Sequence, residues 1–251
     1  MPEGDTIFRT ADRLRLALQG KRLISARPDF LKRLAGTSVS EVKPVGKHLM
    51  IRFDNGLALH THMRMRGVWL VFPRGQAAPR PDWQLKAMLE TEDTVAACFA
   101  APVVELIRDE SIHVGHLGPD VLTDGWNIDD VVKRARLSGE RPIAEVLLDQ
   151  RVTAGIGNVY RCEALWQRKV NPWKPTTELS DAEVAELFEV ARRAMRANLG
   201  GRDSRRRFPG YGRGAVHGRA GRPCPRCGTP IKVRAQGELA RMTYWCPQCQ
   251  V

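Results

Sequence analysis

The stretches Cys224-Pro-Arg-Cys227 and Cys246-Pro-Gln-Cys249, with eighteen residues between them, decide the C-terminal part of the fold. Two Cys-x-x-Cys turns at this spacing suit a tetrahedral zinc site, because each turn presents two thiolates on one tight bend. The runs 231–233 and 242–245 predict two short strands. The alternatives are a pair of disulfides or four unrelated thiols. Disulfides are disfavoured because the sequence shows no secretory signal, which would imply an oxidising compartment. The sequence therefore predicts one structural Zn²⁺ bound by these four cysteines, in a zinc finger of residues 223–251.

The charge of the chain is unevenly distributed. Its 40 Lys and Arg against 28 Asp and Glu give a net charge of +12, and residues 201–251 hold eleven of the basic residues but only two acids. A basic block beside a zinc finger is typical of nucleic-acid-binding proteins, because phosphate neutralisation supplies most non-specific affinity. A solvated basic tail and an anionic membrane surface are the alternatives. No apolar run is long enough to span a membrane. The sequence therefore predicts a nucleic-acid partner and no association with a membrane.

The first part of the chain predicts one helix followed by short strands. Residues 2–19 form an amphipathic pattern, with the apolar stripe Ile7, Ala11, Leu14 and Leu18. Alternating runs then predict strands at 23–26, 39–45, 48–53, 57–62, 68–72, 85–90, 95–99 and 103–107. Asp54-Asn55-Gly56 is a hairpin signal between two of them. Short strands in this arrangement indicate an antiparallel β-sandwich with one helix packed on it, over residues 1–114.

Helical periodicity returns after residues 115–127, which predict a linker or hinge. Helices are predicted at 128–137, 142–150, 158–167 and 181–199, the last opened by a capping box from Ser180 to Glu183. The Gly- and Arg-rich stretch 200–223 predicts a mobile basic loop. The 43% hydrophobic and 27% charged residues support a folded cytosolic protein. The helix and strands followed by further helices predict an α+β fold in two domains. Its helical domain occupies residues 128–222, ahead of the finger.

The N-terminus carries a candidate nucleophile. Methionine aminopeptidase trims Met1 ahead of a proline, which leaves Pro2 with a secondary amine at the positive end of a helix dipole. That position disfavours an ammonium ion and raises the neutral, nucleophilic fraction. A secondary amine forms an iminium with a sugar aldehyde carbon, as a lysine does in a Schiff base, and Glu3 beside it can move protons. The alternative is that Glu3 only stabilises the first helical turn.

Other segments carry candidate phosphate contacts. Lys47, in Gly46-Lys-His48, lies at a strand start where a lysine projects from a hairpin. Residues 154–158 place two glycines and Asn158 ahead of a helix, which suits a phosphate held on backbone N–H groups or an ordinary helix-entry turn. Arg241 lies on the zinc hairpin and faces whatever the finger docks on.

Two pairs of reactive side chains are expected to be structural. His60 and His62 share one face of a strand and could bind a metal ion, but no third ligand lies nearby in the sequence. Cys98 lies in an apolar strand and Cys162 in a helix, so we expect both thiols to be buried.

These segments, in this order, resemble the formamidopyrimidine-DNA glycosylase / endonuclease VIII family over nearly the whole chain. By this resemblance Pro2 is the nucleophile and Glu3 the general acid/base. Lys47 and Arg241 complete the catalytic set, and Asn158 and Arg241 bind flanking phosphates. Residues 142–170 correspond to the family's helix–two-turn–helix. The resemblance also implies that Arg64, Met65 and Arg66 fill the gap left by a flipped nucleotide. The matching segments are 1–4, 45–49, 62–67, 118–122, 148–150, 154–158, 217–228 and 241–250.

The resemblance implies a bifunctional DNA glycosylase and AP lyase of base excision repair. Such an enzyme nicks damaged DNA through a Pro2 Schiff base with β,δ-elimination and needs no cofactor beyond the structural Zn²⁺. We expect a monomer in a bacterial-type cytosol. Its expected partner is damaged duplex DNA, with single-stranded or bubble DNA also accepted.

Departures from the family pattern bear on the substrate. Thr6 stands where the family has a second carboxylate, which leaves the proton-removal step open. Residues 99–104 (Phe-Ala-Ala-Pro-Val-Val) replace the run whose Arg and Phe enter the duplex in the purine-specific branch. The missing wedges and the Gly4 opening favour the endonuclease VIII-like branch, which acts on oxidised pyrimidines. An oxidised-purine glycosylase of the same family and a non-catalytic zinc-finger DNA-binding protein are the alternatives.

Overall fold

The computed structural model describes residues 2–200, 208 and 210–251. The chain divides into two compact units, the first ending at His116 and the second beginning at Leu117. This division falls inside the segment that the sequence predicts as a linker. Within the described ranges, no helix has both the length and the apolar composition needed to cross a membrane.

The first unit begins with helix α1, Gly4–Leu18. Its buried face carries the predicted apolar stripe at three- and four-residue spacing, and the stripe packs into the core of the sandwich. Gly20 follows the helix with a φ of 78°, in the left-handed region that glycine adopts without steric cost. The predicted helix and its end are therefore confirmed.

The strands of the first unit are β1 (Ser25–Arg27), β2 (Val39–Val45), β3 (His48–Phe53), β4 (Ala58–His62), β5 (Val68–Pro73), β6 (Leu85–Glu90), β7 (Thr94–Phe99) and β8 (Val103–Ile107). They form two four-stranded antiparallel sheets, ordered β2-β3-β4-β8 and β1-β6-β7-β5. A one-turn helix α2, Ser111–Val114, follows them. The predicted sandwich is confirmed, but the strand expected at 23–26 begins later because Leu23 bonds to Gly36 and Thr37 instead of β6.

The second unit contains the helices α3 (Ile128–Arg136), α4 (Ile143–Val146), α5 (Asn158–Gln167) and α6 (Asp181–Arg196). The capping box predicted at Ser180 and Glu183 is present at the start of α6. The helix predicted over 142–150 is only one turn long. The Asp149 side chain accepts the backbone N–H of Arg151 at 3.0 Å, which closes a local turn that competes with the helix.

Most of the segment predicted as a linker packs on the second unit. The N–H of Gly118 donates to the carbonyl oxygen of Gln150 at 2.8 Å, and the N–H of Val121 donates to that of Ala154 at 3.0 Å. Trp126 is buried, and its indole N–H donates to the Thr153 hydroxyl at 2.9 Å. Of the predicted mobile basic loop, only residues 201–207 and 209 lie outside the described residues. Its later part is packed into the second unit, since Ala215 and Val216 are buried and the N–H of Gly221 donates to the carbonyl oxygen of Ile231 at 2.8 Å.

The C-terminal hairpin pairs β9 (Lys232–Gln236) with β10 (Arg241–Trp245) in antiparallel register, with Arg241 opposite Gln236. Its base packs on α5, where Cys162 and Trp166 form one apolar cluster with Ile231 and Cys246. The predicted hairpin is confirmed, and α5 is its platform. Together with the sandwich, these elements confirm the predicted α+β class.

Candidate active site and metal-binding clusters

Pro2 and Glu3 lie at the N-terminal end of α1. Glu3 is the N-cap residue, and its carbonyl oxygen accepts the N–H groups of Thr6 and Ile7 at 2.9 and 3.1 Å. Its side chain is fully buried, whereas Pro2 is half-buried. The two residues predicted to share the chemistry are therefore neighbours at the positive end of one helix dipole.

Asp5 is a second buried acid in the first turn of α1, and no motif in the sequence marks it. It is fully buried, and its carboxylate accepts the Thr6 hydroxyl at 3.4 Å and lies 3.7 Å from the Arg9 guanidinium. Acids in first helical turns usually face water, so their sequence pattern carries no signal of burial. Thr6 is thus hydrogen-bonded to a carboxylate one residue before it.

Lys47 occupies the turn between β2 and β3, after Gly46 with a φ of 58°. The pKa of the nearby His62 is lowered to about 4, first by burial and then by the charges of Arg64, His60 and Lys47. The Lys47 turn and the loop that follows β4 therefore converge on one imidazole.

The loop of Arg64, Met65 and Arg66 joins β4 to β5 with its side chains outward. Arg64 has a φ of 43°, all three residues are exposed, and Met65 keeps 72% of its surface. The loop is anchored by buried Met63, whose Cα would lie 2.7 Å from any Cβ added at Gly67. Gly67 thus allows the close turn that projects the predicted wedge residues into solvent.

Asn158, the first residue of α5, is bound to the C-terminal hairpin. Its side-chain amide donates to the carbonyl oxygen of Met242 at 2.8 Å and accepts from the Arg161 guanidinium at 2.5 Å. Fully buried Arg161 also donates to the Thr243 hydroxyl at 2.8 Å. Asn158 is therefore joined to the residues that directly follow exposed Arg241. No motif in the sequence marks Arg161, because a lone arginine in a helical pattern predicts an exposed charge.

The four cysteines of the finger form a compact sulfur cluster whose ligand atoms all lie within 4.8 Å of one another. The Sγ atom of Cys227 is 3.5 Å from that of Cys246 and 3.4 Å from that of Cys249, and Cys224 lies 4.0 Å from Cys249. A disulfide needs about 2.05 Å, whereas sulfurs around a tetrahedral ion at about 2.3 Å are about 3.8 Å apart. The geometry therefore fits a bound metal ion and excludes the disulfide alternative.

Groups around this cluster favour metal binding. The Trp166 indole N–H donates to Cys224 Sγ at 3.3 Å, as outer-shell donors to ligand atoms do. Hydrogen bonds from the side chain and backbone of Thr229 lower the pKa of the Cys227 thiol to about 6, whereas burial raises the pKa of the Cys246 and Cys249 thiols. The N–H of Cys246 donates to Gln250, whose amide donates in turn to Val170 at 3.0 Å. These bonds tie the turn from Cys246 to Cys249 to the backbone at Val170.

Glu163 holds the chain segment that enters the finger. Its carboxylate accepts the backbone N–H groups of Ala215, Val216 and His217 at 2.7, 3.1 and 2.8 Å. Burial raises the pKa of Glu163, and these three bonds oppose that shift. Nothing in the sequence pattern links α5 to residues more than fifty positions later, so this anchor was not predicted.

A second group of side chains that could bind a metal ion lies in the first unit. His60, Glu105 and His113 place their ligand atoms within 4.8 Å of one another. The expectation that His60 lacks a third ligand is therefore wrong, because β8 and α2 bring in residues far away in sequence. The buried thiols predicted at Cys98 and Cys162 are confirmed.

Comparisons with known proteins identify two matching domains and similar full-length relatives. The profile of the formamidopyrimidine-DNA glycosylase N-terminal domain matches residues 1–102, and that of the formamidopyrimidine-DNA glycosylase H2TH domain matches residues 117–207. The chain is 42% identical to a probable endonuclease 8 2 of Streptomyces coelicolor, covering 100% of this chain and 94% of that protein. It is 38% identical to the DNA-(apurinic or apyrimidinic site) lyase Nei2 of Mycolicibacterium smegmatis, covering 100% and 99%.

Solved structures share the fold over nearly the full length. A MutM protein in complex with DNA containing carbocyclic 8-oxo-G superposes with a TM-score of 0.83 at 23% identity, covering 99% of each chain. The MutM (Fpg) protein of Thermus thermophilus has a TM-score of 0.79 at 29% identity, covering 99% of this chain and 98% of that one.

Proposed function

The chain belongs to the formamidopyrimidine-DNA glycosylase and endonuclease 8 family, and we propose that it excises oxidised pyrimidines and nicks abasic DNA through its N-terminal proline. The enzyme is a DNA glycosylase and AP lyase of DNA repair, and damaged DNA is its partner. The observation that carries the proposal is the pairing of Pro2 with fully buried Glu3 at the start of α1. We place its action in the bacterial cytosol, as a monomer.

The proposed reaction begins at Pro2 after removal of Met1, which lies outside the described residues. The amine nitrogen attacks C1′ of the flipped nucleotide, the C1′–N bond breaks, and the base leaves with the bonding electron pair. Glu3 protonates the ring oxygen as the sugar opens, which yields an iminium at C1′. Loss of a C2′ proton to a base then expels the 3′-phosphate, and loss of the C4′ proton in a second elimination expels the 5′-phosphate.

Positive side chains in each unit are the proposed phosphate contacts. Lys47 lies on the β2–β3 turn of the first unit, while Arg241 begins β10 in the second. Asn158 is bonded to the backbone of Met242 at 2.8 Å, so we assign it with Arg241 to one phosphate-binding element. The proposed role of each is to bind a backbone phosphate near the lesion, since backbone contacts fix register and orientation.

Zn²⁺ is the ion that we assign to Cys224, Cys227, Cys246 and Cys249. Four thiolates in tetrahedral arrangement are a structural zinc set with no open position, so the ion takes no part in the chemistry. It would hold the two cysteine turns together and thereby fix β10, which carries Arg241.

The pyrimidine preference is supported by the short connection between β7 and β8. Strand β7 ends at fully buried Phe99 and β8 begins at Val103, so three residues form the connection. A connection of this length has no room for the two inserted side chains of the purine-specific branch. Arg64, Met65 and Arg66 are then the proposed wedge.

Borohydride trapping on abasic DNA tests the nucleophile. Reduction of an iminium leaves a covalent protein–DNA adduct, so protein whose intact mass shows loss of Met1 should be trapped. A matched protein that retains an N-terminal extension should not be trapped, because its Pro2 nitrogen is an amide. Pro2→Gly should retain part of the adduct, since a primary amine also forms an imine. If protein that begins at Pro2 gives no adduct, the chain is a non-covalent DNA-binding protein.

A further inference from the structure

We propose that His60, Glu105 and His113 bind a divalent first-row transition-metal ion, in a site separate from the four cysteines. The three residues belong to the first unit, whereas the cysteines belong to the second. The proposal does not depend on the glycosylase chemistry, because none of the three residues has a role in it.

The fold brings the three ligands together from distant parts of the chain. His60 on β4 is paired directly with Glu105 on β8, so their side chains leave the sheet on the same face. His113 comes from α2, whose single turn places it over that strand pair, with its ring centroid 4.5 Å from that of His60. Two strands and a helix thus fix one ligand each.

The distances match those around a bound ion. One Glu105 carboxylate oxygen (Oε2) lies 3.3 Å from His60 Nδ1 and 3.4 Å from His113 Nε2. An ion bound at about 2.0–2.1 Å to nitrogen and 2.0–2.2 Å to oxygen with tetrahedral angles separates its ligand atoms by about 3.4 Å. An ion therefore fits between these atoms with little rearrangement.

A further imidazole orients the first ligand. His60 Nε2 lies 2.8 Å from His48 Nδ1, and the two rings are stacked at 5.1 Å between centroids. When Nδ1 of His60 binds an ion, its Nε2–H donates to His48, which fixes the ring as outer-shell partners of metal-bound histidines do.

Charge and exposure point to the class of ion. The neighbouring Glu110 is engaged by the Arg52 guanidinium at 2.6 and 2.7 Å, so Glu105 is the carboxylate that faces the imidazoles. The His60 side chain is 2% exposed, but those of His113 and Glu105 are 26% and 47% exposed, which gives an ion access and leaves room for water ligands. Two imidazoles and one carboxylate suit Zn²⁺ or Fe²⁺ rather than Mg²⁺ or Ca²⁺.

Zinc stoichiometry tests the site. Untagged full-length protein is equilibrated with Zn²⁺, freed of unbound ion and analysed for zinc by mass spectrometry. We expect two equivalents in the parent and one in Glu105→Gln and His113→Ala, with affinity at the lost site reduced by more than about 100-fold. His116→Ala is the matched control and should keep two, since it removes an exposed histidine from the same segment.

Cobalt separates the two sites. The equivalent retained by Glu105→Gln should give the intense thiolate charge-transfer absorption of a four-cysteine site, and the lost one should correspond to weak absorption from nitrogen and oxygen ligands. A single zinc equivalent in the parent would overturn the proposal. Two equivalents in the folded Glu105→Gln protein, which preserves side-chain shape, would overturn it as well.

Discussion

At the scale of single residues, the buried carboxylate of Glu3 is the group whose removal should separate base excision from strand cleavage. Glu3→Gln keeps the shape of the side chain but cannot donate a proton to the opening sugar. We expect single-turnover excision of a damaged base to fall by about 10²- to 10⁴-fold, the usual contribution of a general acid. Cleavage at a preformed abasic site should fall less, since no glycosidic bond remains to be broken.

Asp12→Asn is the control for this change. It removes the same charge from α1, but at a half-buried position where Asp12 pairs with Arg15 within the helix. Excision should stay at the parent rate. If Glu3→Gln also excised at the parent rate, the proton donor would be another group, and buried Asp5 would be the next candidate.

The titration of Asp149 should be visible as a pH dependence of the free energy of unfolding. It accepts hydrogen bonds from Arg151 at 2.7 and 2.9 Å and from Arg141 at 2.8 Å. The bonds from Arg151, followed by that from Arg141, hold the pKa of the carboxyl well below its usual range. The folded state therefore binds fewer protons than the unfolded state, so this stabilisation is complete above the unfolded pKa and is lost as the pH falls.

Asp149→Asn should reduce the free energy of unfolding at pH 7 by about 1–3 kcal/mol, the usual range for loss of charged hydrogen bonds. The difference from the parent should shrink as the pH falls below about 4, because the Asp149 carboxyl is then protonated in the unfolded chain but stays ionised in the folded protein. Urea titrations of both proteins at each pH measure this difference in the free energy of unfolding. Asp130→Asn, which breaks an exposed pair with Arg134, should change stability by less than about 0.5 kcal/mol. A difference that stayed constant with pH would show that the charge of Asp149 is not the cause.

At the scale of elements, the sequence predicted what local patterns determine. Strands β2 and β3 and helix α5 have the predicted bounds, because alternation and apolar stripes are read directly from neighbouring residues. The 142–150 helix was shortened by the Asp149 side chain, whose local hydrogen bond competes with helix formation. The links from Glu163 to the 215–217 backbone and from His60 to Glu105 join distant positions, and no local pattern contains them.

The zinc hairpin is the element that should couple metal binding to DNA affinity. Arg241→Ala should weaken binding to all sequences and reduce the slope of log K against log salt by about 0.9, as expected for one lost phosphate contact. Cys246→Ser should weaken binding more, because loss of a ligand releases the turn that follows β10. Fluorescence anisotropy with labelled abasic-analogue DNA, over a series of salt concentrations, measures both.

Two controls accompany the hairpin variants. Arg33→Ala removes an equal charge from an exposed position in the first unit and should leave the slope unchanged. Cys98→Ala removes a buried thiol outside the cluster and should keep zinc in the finger. Parent-like affinity of Cys246→Ser protein shown to lack zinc in the finger would remove the hairpin from the DNA-binding surface.

At the scale of the whole molecule, the choice of lesion depends on what replaces a flipped nucleotide in the duplex. A flipped purine nucleotide leaves the larger gap, and the purine-specific branch fills that gap with Arg and Phe side chains. This chain has a three-residue connection between β7 and β8 at that point. Exposed Arg64, Met65 and Arg66 supply one flexible apolar side chain and two charges. We propose that they stack in the gap without reading the opposite base closely.

We therefore expect thymine glycol opposite adenine to be excised faster than 8-oxoguanine opposite cytosine, with weak dependence on the opposite base. Single-turnover excision at saturating enzyme compares the two lesions in one sequence context, and an abasic site in the same context reports lyase competence. Met65→Ala should slow excision from duplex DNA more than from single-stranded DNA, because only the duplex leaves a gap beside a partner strand. Faster excision of 8-oxoguanine would reverse the assigned lesion preference. It would leave the Pro2 mechanism intact, because formation of the iminium does not depend on which base leaves.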